Sequence, residues 1–301
     1  MSRPLVARVS DGGRVRSEDG YKLFDGNDLP YVKDAIQAAT SATSGFDWEG
    51  LLDKQPFRVS LDVKDISDPR VTPIFQLACS DWLVAMASEY IGSLPVVNRI
   101  SLWYSPQHDI YQKGRSQDYH FDSEDKRQLK FFFFLDEIDD RCGPTTIIPA
   151  AQSQAIQRKY LAKTGDGRRL GFRYMDEEIE SILPDVRQVE FVGPRGTIGA
   201  MDATRCLHRG NRPPTDGTMT GRRFMLLIHY TSAFSRMLPV FHRSTAVHLP
   251  GSYSDEQRSR HTEILGSMTS FYNYVYRQEN PDIFSDLSSV SSNLQAQIPV
   301  Q

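Results

Sequence analysis

His120-Phe121-Asp122, then six polar residues, then Leu129-Lys-Phe-Phe-Phe-Phe-Leu135: this stretch decides how the rest of the chain is read. The second part is a short aromatic run of the kind that forms strands. In an extended segment leading into it, residues i and i+2 project to the same side, roughly 7 Å apart along the chain. An imidazole and a carboxylate at that spacing can reach one ion between them. A strand behind them would anchor the pair in the wall of a barrel.

Working outward, the character of the chain changes after Pro95. Val96–Tyr104, Leu129–Leu135, Thr145–Ile148, Val189–Val192, Gly196–Met201 and Arg223–Tyr230 are short and rich in β-branched or aromatic residues. Clusters such as Asp139-Asp-Arg-Cys-Gly-Pro144 and Gly193-Pro-Arg-Gly196 separate them. Many short strands with turn signals between them predict an all-β barrel or sandwich. Helical spacing is predicted over 28–39 and over Thr72–Ile91, the latter ended by Gly92. Ala151–Lys163 has helical composition, and 254–277 opens with the acidic first turn that a helix N-terminus prefers. The expected fold class is mainly β with flanking helices. The chain reads as one catalytic domain over 1–301. Residues 1–94 give an arm and helices, 95–235 the core with an insertion around 151–188, and 236–301 a helical extension.

Composition narrows the function. The 301 residues are 39% hydrophobic and 24% charged, with a net charge of −3, which gives no reason to expect a nucleic acid or an anionic membrane as partner. No run of about 18 apolar residues occurs, and the N-terminus lacks the apolar core of a signal peptide. Three scattered cysteines, Cys79, Cys142 and Cys206, point away from a disulfide framework and toward a reducing, cytoplasmic compartment. Nothing in the sequence bears on self-association.

A lone His-x-Asp is weak evidence, and the chain carries its own control in His261-Thr262-Glu263. That copy lies in a predicted helix, where i and i+2 point about 200° apart and cannot grip one ion. His120 and Asp122 gain support from His208, which ends a strand-like segment from Gly196 in a polar loop. Two imidazoles and one carboxylate are the ligand set that holds non-haem Fe(II) on one face and leaves the other open. Beyond them, Gly221-Arg-Arg-Phe-Met-Leu-Leu-Ile-His-Tyr230 opens a strand with two arginines. An arginine facing inward there needs an anion, because an unpaired buried charge is too costly. A dicarboxylate co-substrate would supply one.

The order of these parts, together with Gly143-Pro-Thr-Thr-Ile-Ile-Pro149, resembles the Fe(II)/2-oxoglutarate-dependent dioxygenases, and most of all the phytanoyl-CoA dioxygenase (PhyH-like) group. The resemblance covers about residues 95–232. It implies a double-stranded β-helix (jelly-roll, cupin-like) core, with His120, Asp122 and His208 as iron ligands. It also implies that Arg223, rather than Arg222, binds the far carboxylate of 2-oxoglutarate. Such enzymes use Fe(II), 2-oxoglutarate and O2, so the implied activity is hydroxylation of an unactivated C–H of a small molecule, with release of succinate and CO2. A biosynthetic role is expected.

The chain departs from the family pattern at Gly210, where members often carry a hydroxyl that helps hold the same carboxylate; Thr197, Thr218 or a tyrosine are candidate substitutes. Asp122 is intact, which argues against halogenation. Asp202 is a candidate for orienting an imidazole, and Cys206, two residues before His208, for facing the iron. Trp103, Tyr104 and the loop 108–119 are candidates for the pocket mouth, with core packing the alternative for the two aromatics. His108, His229, His242 and His248 are read as structural, and Lys113, Arg115, Arg209 and Arg212 as solvated loop cations, with attraction of an anionic substrate the alternative. Three readings compete with hydroxylation. One keeps the cofactors but gives desaturation, epoxidation or ring rearrangement. Another is a cupin-like metal-binding protein or isomerase/epimerase without 2-oxoglutarate. The third is a scaffold in which the motif is accidental.

Overall fold

A computed structural model describes residues 13–54, 57–63, 68–93, 95–165, 173–210, 212–213, 219–232 and 235. Its elements in chain order are β1 (Tyr21–Asp25), α1 (Val32–Ala42), β2 (Val59–Asp62), α2 (Thr72–Ala78), α3 (Asp81–Ile91), β3 (Pro95–Ser105), β4 (Gln128–Phe134), β5 (Thr146–Ile147), α4 (Ala150–Thr164), α5 (Asp176–Ile182), β6 (Val189–Glu190), β7 (Thr197–Met201), β8 (His208–Arg209) and β9 (Arg223–Ser232). The predicted helix 254–277, with His261 and Glu263, lies outside the described residues, as do Thr218, His242 and His248.

Two antiparallel sheets face each other. The larger has strand order β1-β7-β4-β9-β3-β2, the smaller β6-β5-β8. Single bridges widen the smaller sheet: His120 pairs with His208, and Tyr119 with Tyr174. This is a jelly-roll core, and it explains why β4 reads as apolar on both faces. Leu129, Phe131, Phe133 and Leu135 point outward into a cluster with α1, α2 and α3, where Ile74, Leu77, Leu83 and Ala87 meet them. Phe132 and Phe134 point inward with Met225, Leu227, Ile147 and Phe191, filling the space between the sheets. Each such phenylalanine contributes on the order of 1.5–3 kcal/mol by leaving water. The inward position ahead of Phe132 is Lys130, the one charge in the run.

Several expectations need correction. The helix predicted over Thr72–Ile91 is broken in two at Ser80, whose backbone is extended (φ −66°, ψ 146°) and whose hydroxyl donates to the Leu77 carbonyl at 2.7 Å. The break lets α2 and α3 turn to cover one sheet face. The N-terminal region is more than an arm with helices, because β1 and β2 form both edges of the large sheet. The predicted insertion contains α4 and α5. Ile156 and Ile179 pack behind the smaller sheet on Tyr119, Ile148, Tyr174 and Leu207. Among the described residues no helix is long and apolar enough to cross a membrane.

Candidate metal centre

The backbone brings His120, Asp122 and His208 together. His120 N–H donates to the His208 carbonyl at 3.1 Å, and His208 N–H returns the bond at 3.1 Å. Directly opposed residues of an antiparallel pair carry their side chains on the same face, so the rings lie side by side with centroids 4.3 Å apart. Asp122 N–H donates to the Ala203 carbonyl at 2.9 Å, which carries the carboxylate to the same spot. Ser153 pins the approach to His208: its hydroxyl accepts from Leu207 N–H at 2.8 Å and donates to the Ile148 carbonyl at 2.8 Å.

The imidazoles are oriented by backbone. His120 Nδ1 lies 2.8 Å from the Asp118 carbonyl and His208 Nδ1 3.1 Å from the Cys206 carbonyl, so each Nδ1 donates and each Nε2 keeps its lone pair. Those Nε2 atoms face Asp122, His120 at 3.7 Å from Oδ1 and His208 at 3.7 Å from Oδ2. One ligand atom from each residue falls within 4.8 Å of the others. Burial, then the neighbouring His208, pushes the His120 pKa down to about 3. Burial also lowers His208. Burial works to raise Asp122, but Lys130 and the two imidazoles outweigh it and hold the carboxyl below the usual range. Two neutral imidazoles and an ionised carboxylate, all converging, fit a divalent cation with mixed nitrogen and oxygen preference.

Arg223 is inward on β9 and 2% exposed, whereas Arg222 faces out to Asp136 at 3.1 Å. Arg223 Nη1 donates to Thr145 Oγ1 at 3.0 Å. Burial, then the nearby Arg58 guanidinium, lowers the Arg223 pKa to about 9. Arg58 stacks on Trp103 at 4.3 Å, and burial lowers its pKa too, against the pull of Asp122. A Cβ at Gly210 would lie 3.2 Å and 3.3 Å from the two Nη atoms and 3.7 Å from Cζ. It would therefore sit off the end of the guanidinium fork. The hydroxyl beside Arg223 is that of Thr145. Thr197 instead presses on Gly193, where a Cβ would meet its Oγ1 at 2.5 Å.

Other candidates fall elsewhere. Asp202 accepts from Tyr90 Oη at 2.8 Å and Thr204 N–H at 3.0 Å, so it orients no imidazole. The Cys206 thiol points to the carbonyls of Asp19 and Gly20 at 3.5 Å; only its own carbonyl meets His208. Tyr104 lies outside the barrel, stacked on Trp48 and donating to Glu49 at 2.8 Å, while Trp103 faces inward. His229 is a core histidine bonded to Gln128 Oε1 at 2.5 Å, and His108 Nδ1 accepts from Ile110 N–H at 3.1 Å. Lys113 and Arg115 are exposed. Arg212 is not a solvated cation: it bonds Asp118, Asp176 and the Gln117 carbonyl, tying the loop 110–118 to the start of α5. Arg209 stacks on Tyr119 at 4.9 Å. Sequence reasoning missed Lys130, Arg58 and Thr145; only Lys130 left a signal, a lone charge inside an apolar run.

No protein-family model and no curated protein matches the chain. Among solved structures it is similar to EctD from S. alaskensis with bound Fe, at 16% identity and TM-score 0.50, covering 79% of this chain and 85% of that one. EctD with 2-oxoglutarate and 5-hydroxyectoine aligns at 17% identity and TM-score 0.50, over 79% and 84%. The epimerase SnoN in complex with Fe3+, alpha ketoglutarate and nogalamycin RO aligns at 17% and TM-score 0.46, over 79% and 88%. At these identities the likeness to EctD establishes the jelly-roll fold and nothing finer.

Proposed function

We propose that this chain is a non-haem Fe(II)/2-oxoglutarate-dependent oxygenase of the PhyH-like kind that hydroxylates an unactivated C–H of a small molecule. One observation carries the reading: two Nε2 lone pairs and one carboxylate converge on the inner wall of a barrel that also holds a buried, inward-facing arginine. His120, Asp122 and His208 would hold the metal, and Arg223 with the Thr145 hydroxyl would hold the far carboxylate of 2-oxoglutarate. Guanidinium–carboxylate pairing favours that assignment. Bound Fe(II) and 2-oxoglutarate supply the oxidising power, with O2 consumed and succinate and CO2 released.

The chain's own residues do the rest. The carbonyls of Asp118 and Cys206 fix the imidazoles in the tautomer that offers Nε2. Phe132, Phe134, Met225 and Leu227 line the space between the sheets and keep water out of it, as a reactive site requires. That EctD structures of the same fold contain Fe and 2-oxoglutarate is in keeping with this reading. Residues 1–301 would act as one catalytic unit. The three cysteines, all buried and none in a disulfide, favour the reducing cytoplasm.

Anaerobic titration with Fe(II) and 2-oxoglutarate tests the reading, in wild type and in Arg223→Ala, by the weak visible charge-transfer band of the chelated complex. The expected result is a band in wild type that weakens strongly in the variant, followed by a substrate screen for succinate release. Iron bound without a band would favour a cupin-like protein that does not use 2-oxoglutarate. No metal binding would end the proposal.

A further inference from the structure

Lys130 is 6% exposed, on a strand whose other residues are all buried. It stands directly opposite Met201 on β7 and His229 on β9, so its side chain enters the barrel. Its ammonium bonds Asp122 Oδ2 and lies 3.2 Å from Glu124 Oε1. The other residues of the run are aromatic or aliphatic, yet an apolar residue here would leave the Asp122 and Glu124 carboxylates without their counter-charge. A buried cation persists only where paired acids compensate its desolvation. One of those acids is a member of the candidate ligand triad.

From this geometry we infer that Lys130 is a positioning residue for the metal: it occupies Oδ2 of Asp122, so that the carboxylate presents a single oxygen to the ion. The inference rests on the metal-centre reading above. A carboxylate free to swing could give both oxygens to the metal and close a coordination position that co-substrate or O2 needs. Glu124 has its own part. It neutralises the ammonium, so the hold on Asp122 adds no net charge to the site, and its Oε2 is fixed by Gln128 Nε2 at 3.2 Å. Hydrogen-bond partners of metal ligands of this kind are worth about 10–100-fold in metal affinity.

Because Lys130 and Glu124 cancel, removing both leaves the charge of the site unchanged and takes away only the hold on Asp122. The test is therefore Co(II) titration of the full chain as wild type, as Lys130→Met/Glu124→Gln and as Lys130→Arg, with folding checked by thermal melting. The double variant should bind Co(II) about 10–100-fold more weakly and show an altered d–d spectrum. Lys130→Arg, which keeps a donor on Asp122, should stay close to wild type in both. With Fe(II) and 2-oxoglutarate, the charge-transfer band of the double variant should shift, because Asp122 is no longer held in one orientation toward the metal. A role in packing alone would leave both spectra unmoved. Affinity within about twofold of wild type with superimposable spectra would overturn the inference, as would tighter binding, which would mean that the ammonium competes with the metal. If the double variant does not fold, a second apolar pair, Lys130→Leu/Glu124→Met, decides in its place: weaker Co(II) binding with an altered spectrum supports the inference, and wild-type affinity and spectrum overturn it. Wild type failing to bind Co(II) would instead overturn the metal-centre reading itself.

Discussion

Gly210 offers the sharpest test of the anion end. Its φ lies outside the left-handed region, so a side chain there brings no backbone strain. What a side chain would meet is Arg223, at 3.2 Å and 3.3 Å from a bare Cβ to the two Nη atoms. In Gly210→Val the two methyl groups reach farther, into the space off the guanidinium fork that a carboxylate docking end-on must use. A hydrogen bond to a charged group is worth about 1.5–3 kcal/mol. Losing one of the pair should weaken 2-oxoglutarate binding by about 10–100-fold. Gly210→Ala should cost only about threefold, because the flexible end of Arg223 can give the few tenths of an ångström required. Calorimetric titration of 2-oxoglutarate into the Co(II)-loaded protein measures both. A 2-oxo monocarboxylate, lacking the far carboxylate, should bind wild type and Gly210→Val alike. Unchanged 2-oxoglutarate affinity in Gly210→Val, with the protein folded and Co(II) bound, would refute the assignment of Arg223.

Two further tests concern the surroundings. Burial raises the Asp202 carboxyl to about 6 despite its hydrogen bond from Tyr90, so the acid is held protonated in the fold at a pH where the unfolded chain ionises it. The stability this contributes is present below about pH 4 and lost as pH rises through about 6; relative to Asp202→Asn, wild type should lose about 2–3 kcal/mol between pH 4 and 7. Urea denaturation of both proteins across that range checks it, and a flat difference would contradict it. Arg212→Ala removes the tie between Asp118 and Asp176. Amide hydrogen exchange across Tyr111–Asp118 should quicken while exchange in β4 and β9 stays slow, and equal rates in the loop would show that the tie holds nothing.

What could be read from the sequence followed from local period. The spacing of His120 and Asp122 works because that segment is extended, and the central strands announced themselves by aromatic and β-branched residues. Which way β4 faces could not be read from hydrophobicity, because helices bury one side and the second sheet buries the other. Lys130 was the one mark of its inner face. β1 and β2 escaped notice because they are short edge strands of mixed polarity, legible as strands only beside β7 and β3. The partnership of Thr145 with Arg223 joins positions 78 residues apart, and no spacing rule encodes such a meeting. Ser80 broke a helix whose apolar pattern runs on without interruption, because its hydroxyl turned back to Leu77.

The reciprocal backbone bond between His120 and His208 also bears on how the molecule assembles. It joins two strand ends separated by β4, β5, α4, α5, β6 and β7, so this rung forms only after a large loop has closed. Contacts of such long separation come late in folding, since the chain must first give up the freedom of everything between them. The candidate metal site would therefore be absent from any partly folded chain in which the two sheets have not yet met. A nascent or misregistered molecule would hold its histidines apart and leave metal ions alone. Colour developing on a bound transition ion during refolding would then time the closing of the barrel, separately from the earlier gain of strand and helix.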